Sequence, residues 1–320
     1  MKTKQLTVSI LLVLILLSTG LVAGCGSETP PLTPAAENLA ETMVPDLPID
    51  IYLYVKQAQP TRFVADTFNL PADMEVVSLA LWGLAQEGDF AFGLGLVMAT
   101  ARQAEEVYQG IPSQPENWVK LSGDTIYLVN GSGEAADSLK QAIDAGDFKK
   151  YDDADGLAAV SNLPDNGEKV AAVVVIKPSE SLIGMLTKDM DEDSRGVVDT
   201  VLGLVQLKAM AAEAYTAEQV DAAALMADVN AGAGLDRDLG VLGVIQSGLP
   251  GIIVKPGIEK ILNEQQFRHS ERAGADYYHN SFQAENGTET YVIVRVVGSN
   301  VFIAVSGRES YAEKLIQSVE

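Results

Sequence analysis

The chain has 320 residues and a formal net charge of −22, from 22 basic and 44 acidic side chains. This excess of negative charge argues against binding to nucleic acid or to anionic lipid head groups. Hydrophobic residues make up 47% of the sequence, which is ample for a folded core and excludes a chain that is disordered throughout.

The N-terminal segment has the three parts of a secretory signal. Residues 1–5 are a short basic segment, residues 6–17 are apolar apart from Thr7 and Ser9, and the segment ends in two small residues, Ala23 and Gly24. The apolar run is too short to span a bilayer, which takes about 20 residues. We therefore predict that residues 1–24 are a signal peptide.

The end of this segment carries a lipidation motif. Ala23 and Gly24 stand directly before Cys25, and residues 21–25 resemble the lipobox of bacterial lipoproteins. The resemblance covers only the first 25 residues. It implies that Cys25 receives a diacylglycerol, becomes the new N-terminus, and anchors the body on the extracytoplasmic side of the cell membrane. Cys25 is the one cysteine of the chain, so no internal disulfide is expected.

Residues 25–48 are predicted to be the lipidated cysteine and an extended tether, because five prolines interrupt a small and polar sequence. Two related units are predicted to follow, at 49–155 and 156–320. Residues 119–129 and 294–304 have the same hairpin pattern, and each hairpin precedes an amphipathic helix.

Each unit is predicted to have the order β-α-β-β-α-β-β-α. The fold class is therefore α+β, with antiparallel hairpin sheets and helices packed on one face. The central hairpin of the first unit, 76–100, aligns with 205–215 and 220–229 in the second, although the alanine-rich stretch 209–227 is equally compatible with a helix. Residues 230–290 or so are predicted to be an insertion.

The insertion contains an uncharged, glycine-rich apolar stretch at 239–254. One interpretation is a helix pair buried against the sheet, and the other is the apolar wall or lid of a ligand site, or a patch that touches lipid or a partner. On the second interpretation the candidate ligand contacts are Leu239, Leu242, Ile245, Leu249 and Ile252.

The acidic stretch around Asp189, Asp191 and Asp193 is a weak candidate for calcium, because carboxylates at alternate positions suit that ion. The glycine and the final glutamate of a calcium loop are missing, since Ser194 and Thr200 occupy those positions. An acidic loop is the simpler interpretation, and no metal site is expected.

Motifs for catalysis are weak. The two histidines, His269 and His279, are expected to be exposed loop residues, and no serine lies in a G-x-S-x-G elbow. Residues 131–136 match G-x-G-x-x-A, but they follow a tight hairpin instead of opening a βαβ unit, so no cofactor is expected.

The sequence therefore favours a membrane-anchored lipoprotein with a non-catalytic binding role, for an apolar ligand or an envelope protein partner. A solute-binding lipoprotein of a transporter is the first alternative. A hydrolase with an unrecognised site is the second.

The lipidation motif gives a direct prediction. Cys25→Ser removes the thiol that would carry the diacylglycerol, so the protein is expected to lose incorporation of labelled palmitate and to leave the membrane fraction. Gly26→Ala, one residue further on, serves as the control and should leave both unchanged. Palmitate on the Cys25→Ser protein would contradict the motif.

Overall fold

A computed structural model describes residues 32–56, 76–111, 117–164, 169–188, 190, 195–196, 206–216, 239–283 and 289–319. The predicted signal peptide and Cys25 lie outside these residues.

The described strands are β1 (Met43–Pro45), β2 (Ile51–Lys56), β3 (Val76–Gln86), β4 (Asp89–Met98), β5 (Asn117–Ser122), β6 (Thr125–Gly131), β7 (Phe148–Lys150), β8 (Lys169–Ile176), β9 (Leu207–Thr216), β10 (Leu239–Ser247), β11 (Arg268–Arg272), β12 (Ala275–Gln283), β13 (Glu289–Val297) and β14 (Asn300–Ser306). The described helices are α1 (Pro34–Ala40), α2 (Ala101–Gly110), α3 (Gly133–Ala145), α4 (Ala154–Ser161), α5 (Glu180–Thr187), α6 (Gly251–Glu264) and α7 (Glu309–Gln317).

Within the described residues, one 12-stranded sheet runs through both units. Its order is β11-β12-β13-β14-β10-β9-β8-β2-β3-β4-β6-β5, and a separate two-stranded sheet pairs β1 with β7. Every pairing is antiparallel. The predicted α+β class with antiparallel hairpins is confirmed.

The strand register supports the internal repeat. The sequence alignment equates Ile51 with Ala172 and, in the last hairpins, Asn130 with Val305. In the first unit, cross-strand pairs connect Ile51 to Asn130 through Gly83 and then Phe92. In the second unit, cross-strand pairs connect Ala172 to Val305 in the same number of steps, through Ala214 and then Val241. The two separate alignments are therefore compatible with one another in the strand pairing.

The same register corrects the predicted bounds of the insertion. β10 is the counterpart of β4, whereas the counterpart predicted at 220–229 lies outside the described residues. Since α6 follows β10 as α2 follows β4, residues 239–264 belong to the repeat. Among the described residues, the part without a counterpart in the first unit is the hairpin of β11 and β12.

The described part of the alanine-rich stretch, residues 209–216, belongs to the strand β9 and not to a helix. β9 pairs with β8 on one side and with β10 on the other. Its backbone is thus hydrogen-bonded along both edges while Ala209, Ala211 and Tyr215 are buried. Sheet pairing and burial outweigh the helix propensity of alanine here.

The predicted tether is wrong from Pro34 onward. The Thr33 hydroxyl caps α1 by accepting from the Ala36 N–H, and Pro34 occupies the first turn, where it removes no helical hydrogen bond. Leu39 and Val44 are buried in the same core as the sheet. Pro34, which the sequence analysis assigns to an extended tether, is instead the first residue of a helix.

Helices lie on both sides of the large sheet. Face A, the side that bears Tyr52, Trp82 and Leu242, packs against α1, α3, α4 and α7. Face B, the side that bears Leu96 and Ile245, packs against α2 and α6. The predicted helical layer is thus face A, and two helices add a partial layer on face B.

A buried carboxylate ties the two units together beside the central strands. Asp50 is 2% exposed. Its Oδ2 accepts from the Ala85 N–H at 2.7 Å, and its Oδ1 accepts from the Ser179 N–H at 2.6 Å. Its carbonyl accepts from the Lys177 N–H at 2.8 Å. One residue of the first unit therefore satisfies backbone donors in both units.

Asp50→Ala is expected to lower the free energy of unfolding by about 3 kcal/mol, because it leaves one buried and one partly buried N–H group without an acceptor. Urea unfolding followed by circular dichroism measures the loss. Asp144→Ala removes an exposed carboxylate paired with Lys120 and should cost less than about 1 kcal/mol. Equal effects of the two substitutions would contradict the role given to Asp50.

Candidate functional site

The apolar stretch predicted as a ligand wall is an interior strand. Leu242 is fully buried in the core of face A, and Ile245 is 4% exposed in the core of face B. The two side chains therefore point to opposite sides of the sheet. Leu239 begins β10 and pairs with Thr216. The prediction that Leu242 and Ile245 share one wall is wrong, because a strand alternates its side chains.

The remaining two candidates lie at the start of α6. Leu249 is half-buried against the core of face B, whereas Ile252 is 85% exposed and its neighbour Ile253 is 49% exposed. The alternative prediction of a buried helix pair is also wrong, since the segment is a strand followed by one helix. Among the candidates whose side chains the structure describes, Ile252 is the exposed one.

Face B carries a second set of exposed apolar side chains, which sequence reasoning missed. Phe92 on β4 and Val241 on β10 are 40% and 38% exposed, and they are equivalent positions of the repeat. We call them the apolar pair. Phe90 packs edge-on against Phe92, with ring centroids 4.5 Å apart. In each unit the helix on face B covers the later half of the strand and leaves this earlier position open.

The inserted hairpin presents its two histidines on opposite faces. His269 pairs with Tyr278, and His279 pairs with Arg268 and Ile293. The prediction of loop histidines is wrong, because both residues belong to strands. Alternation along the hairpin directs His269 to face B and His279 to face A.

On face A, His279 lies beside two carboxylates of α7. The ligand atoms of His279, Glu309 and Glu313 all lie within 4.8 Å of one another. Ser270 Oγ is 2.7 Å from His279 Nε2, and the Arg272 guanidinium is 2.8 Å from Glu313. The two glutamates are four residues apart, which places them on one side of the helix.

On face B, the hairpin is tied to α6 through Asp276. Asp276 Oδ2 lies 2.7 Å from Lys255 Nζ, and Asp276 Oδ1 lies 2.8 Å from His269 Nε2. The hydrogen bond from Lys255, followed by that from His269, holds the pKa of Asp276 below its usual value. This carboxylate is thus already occupied by two cationic or donor groups.

The contact between Ser270 and His279 is one part of a Ser-His-acid triad. A triad also needs the second ring nitrogen to donate to a carboxylate. Among the described residues, His279 makes no such hydrogen bond with Glu309 or Glu313. The predicted calcium candidates Asp189, Asp191 and Asp193 lie outside the described residues.

Burial lowers the pKa of His279 below 6.5, against the opposing effect of the carboxylate of Glu313. The nearby positive charge of Arg272 lowers this pKa further, and Glu309 raises it. The imidazole is therefore held towards its neutral form by its surroundings.

Comparison with known proteins gives no family. No protein family model matches the chain, and no curated protein matches it. Two crystal forms of TP0453 are similar in structure. Form III is 10% identical and covers 84% of this chain and 94% of that chain, with a TM-score of 0.35. Form I is 9% identical and covers 91% and 99%, with a TM-score of 0.36. These scores are too low to support a conclusion about fold or function.

The surroundings of His279 predict its titration. With two histidines in the chain, proton NMR in metal-free buffer resolves both, and His269→Asn assigns them. We expect His279 to titrate below 6.5, Arg272→Gln to raise its pKa, and Glu313→Gln to lower it. Because the folded pKa is depressed, the stability that the neutral ring contributes is lost as the pH falls through the histidine range. A His279 pKa above 6.5 would contradict the burial.

Proposed function

We propose that the chain is a lipid-anchored extracytoplasmic protein with a non-catalytic binding role, and that an apolar ligand lies against face B. The lipobox at Cys25 supports the anchor. The observation that carries the binding role is the apolar pair, because Phe92 and Val241 are exposed at equivalent positions on one face of one sheet.

The physical basis is the burial of apolar surface. Removing apolar area from water contributes about 25 cal/mol per Å², and an acyl chain or similar molecule crossing face B would cover side chains of both units. Half-buried Leu53, Leu81 and Leu94 lie on the same face of the intervening or neighbouring strands. The ligand class is therefore apolar and elongated, not a compact polar solute.

An envelope protein partner is the second candidate function. The observation that favours it is Ile252, which is 85% exposed next to Ile253 at the start of α6. An isoleucine so exposed gains most by contact with another macromolecule. This surface is separate from the apolar pair, so the two candidates are distinguishable by substitution.

A solute-binding lipoprotein and a hydrolase have less support. The first is expected to have two lobes of parallel sheet, whereas both sheets of the described strands are antiparallel. A hydrolase needs a completed triad. His279 contacts Ser270, but among the described residues it makes no hydrogen bond with the carboxylate of Glu309 or Glu313. Across the described part of the chain, no helix is both long enough and apolar enough to cross a membrane.

Native mass spectrometry of the body from Gly26 onward, compared with its denatured mass, tests the apolar ligand. We expect an extra mass that is lost on denaturation and reduced by Phe92→Asp or Val241→Asp. Ile252→Asp is the matched control, since it adds the same charge on the exposed start of α6. Leu242 and Ile245 are unsuitable targets because a buried charge there would unfold the core.

If the unmodified protein, purified from cells with the same type of envelope as its own, carries no extra mass, the proposal of an apolar ligand is overturned. Crosslinks to an envelope protein that Ile252→Asp removes and Phe92→Asp leaves intact would move the function to the second candidate.

A further inference from the structure

The inserted hairpin gives the second unit a polar cluster that the repeat does not generate. β11 and β12 extend the sheet beyond β13, and this extension places His279 beside α7. The corresponding helix of the first unit, α3, has no such hairpin next to it among the described residues. The cluster therefore depends on the part of the chain that distinguishes the two units.

The three side chains have the chemistry of a transition-metal site. Imidazole nitrogen and carboxylate oxygens are zinc ligands, and sites with three protein ligands hold a water or another molecule in the fourth position. In His279, Glu309 and Glu313 the ligand atoms lie within 4.8 Å of one another. Tetrahedral zinc with bonds of about 2.0–2.1 Å holds its ligands roughly 3.3 Å apart. Rotation about the side-chain bonds of the exposed Glu309 brings its carboxylate closer to the other two ligand atoms.

We propose that His279, Glu309 and Glu313 form a binding site for a divalent transition-metal ion, with zinc as the expected ion. This site is independent of the apolar ligand, because α7 lies on face A and the apolar pair lies on face B.

The surroundings of His279 resemble those of a metal ligand. Metal-bound histidines use one ring nitrogen for the ion and the other for a hydrogen bond that fixes the ring. Ser270 Oγ already contacts Nε2 at 2.7 Å, which leaves Nδ1 for the ion. Ser270 and His279 come from the two strands of the same hairpin, so this contact orients the ring through a rigid element.

Arg272 supplies a distinctive feature of the site. Its guanidinium lies 2.8 Å from Glu313, and without an ion it offsets the repulsion between Glu313 and Glu309. A bound cation would take over this role, so Arg272 competes with the metal for the same carboxylate. Removing Arg272 should therefore strengthen metal binding, which a purely structural ion pair would not predict.

The second histidine is a natural control. His269 belongs to the same hairpin but faces α6, where its one carboxylate partner, Asp276, also contacts Lys255 at 2.7 Å. A fixed ammonium at that distance repels a divalent ion. We expect no metal at this position.

Isothermal titration calorimetry of the full-length protein in detergent, with zinc chloride as the titrant, tests the site. We expect one ion per chain. His279→Asn and Glu309→Gln should abolish stoichiometric binding, His269→Asn should retain it, and Arg272→Gln should bind several-fold more tightly. Thermal unfolding in a chelator checks that each variant is folded.

Zinc-dependent protection against thermal unfolding gives a second measurement that does not rely on the heat of binding. The unmodified protein and His269→Asn should show a higher melting temperature with zinc, whereas His279→Asn should show no increase. No stoichiometric binding by the unmodified protein, or equal binding by a folded His279→Asn variant, would overturn the site.

Discussion

The pairing of β2 with β8 is the contact on which the rest of the structure depends. It joins the two units into one sheet through four residue pairs, from Ile51–Ile176 to Tyr54–Val173. A junction this short needs support, and Asp50 supplies it by accepting from backbone donors of both units. Without this junction, face A and face B would each divide into two separate surfaces.

The hairpins could be predicted from the sequence because their signals are local. A glycine turn between apolar strands specifies the hairpins of β5–β6 and β13–β14 without reference to distant residues. The bounds of the insertion could not be predicted, because the alignment assigns the second hairpin strand to residues 220–229, and no local signal shows that β9 pairs with β10. Gly240 is needed there for packing, since a Cβ would lie 2.5 Å from Leu315 of α7. Glycine is required at position 95 of β4 for the same reason, because a Cβ there would lie 2.7 Å from Trp82.

The candidate sites escaped sequence analysis for a different reason. Glu309 and Glu313 show helical spacing, but nothing in the sequence indicates that a hairpin some thirty residues earlier places His279 beside them. The apolar pair has a usable signal, because Phe92 and Val241 occupy equivalent positions once the register of the repeat is known. The sequence alignment matches β4 with residues 220–229 instead of with β10, so the equivalence of Phe92 and Val241 is not visible in the sequence.

The repeat and the insertion contribute surfaces of different kinds. Each unit has an exposed apolar residue on face B, Phe92 in the first unit and Val241 in the second. The hairpin adds polar groups once, at one end of the sheet and on both faces. His269, Asp276 and Lys255 tie that hairpin to α6, and this tie restrains the same two strands that carry Ser270 and His279. The inserted hairpin therefore contacts a helix on each face of the sheet, α6 on face B and α7 on face A.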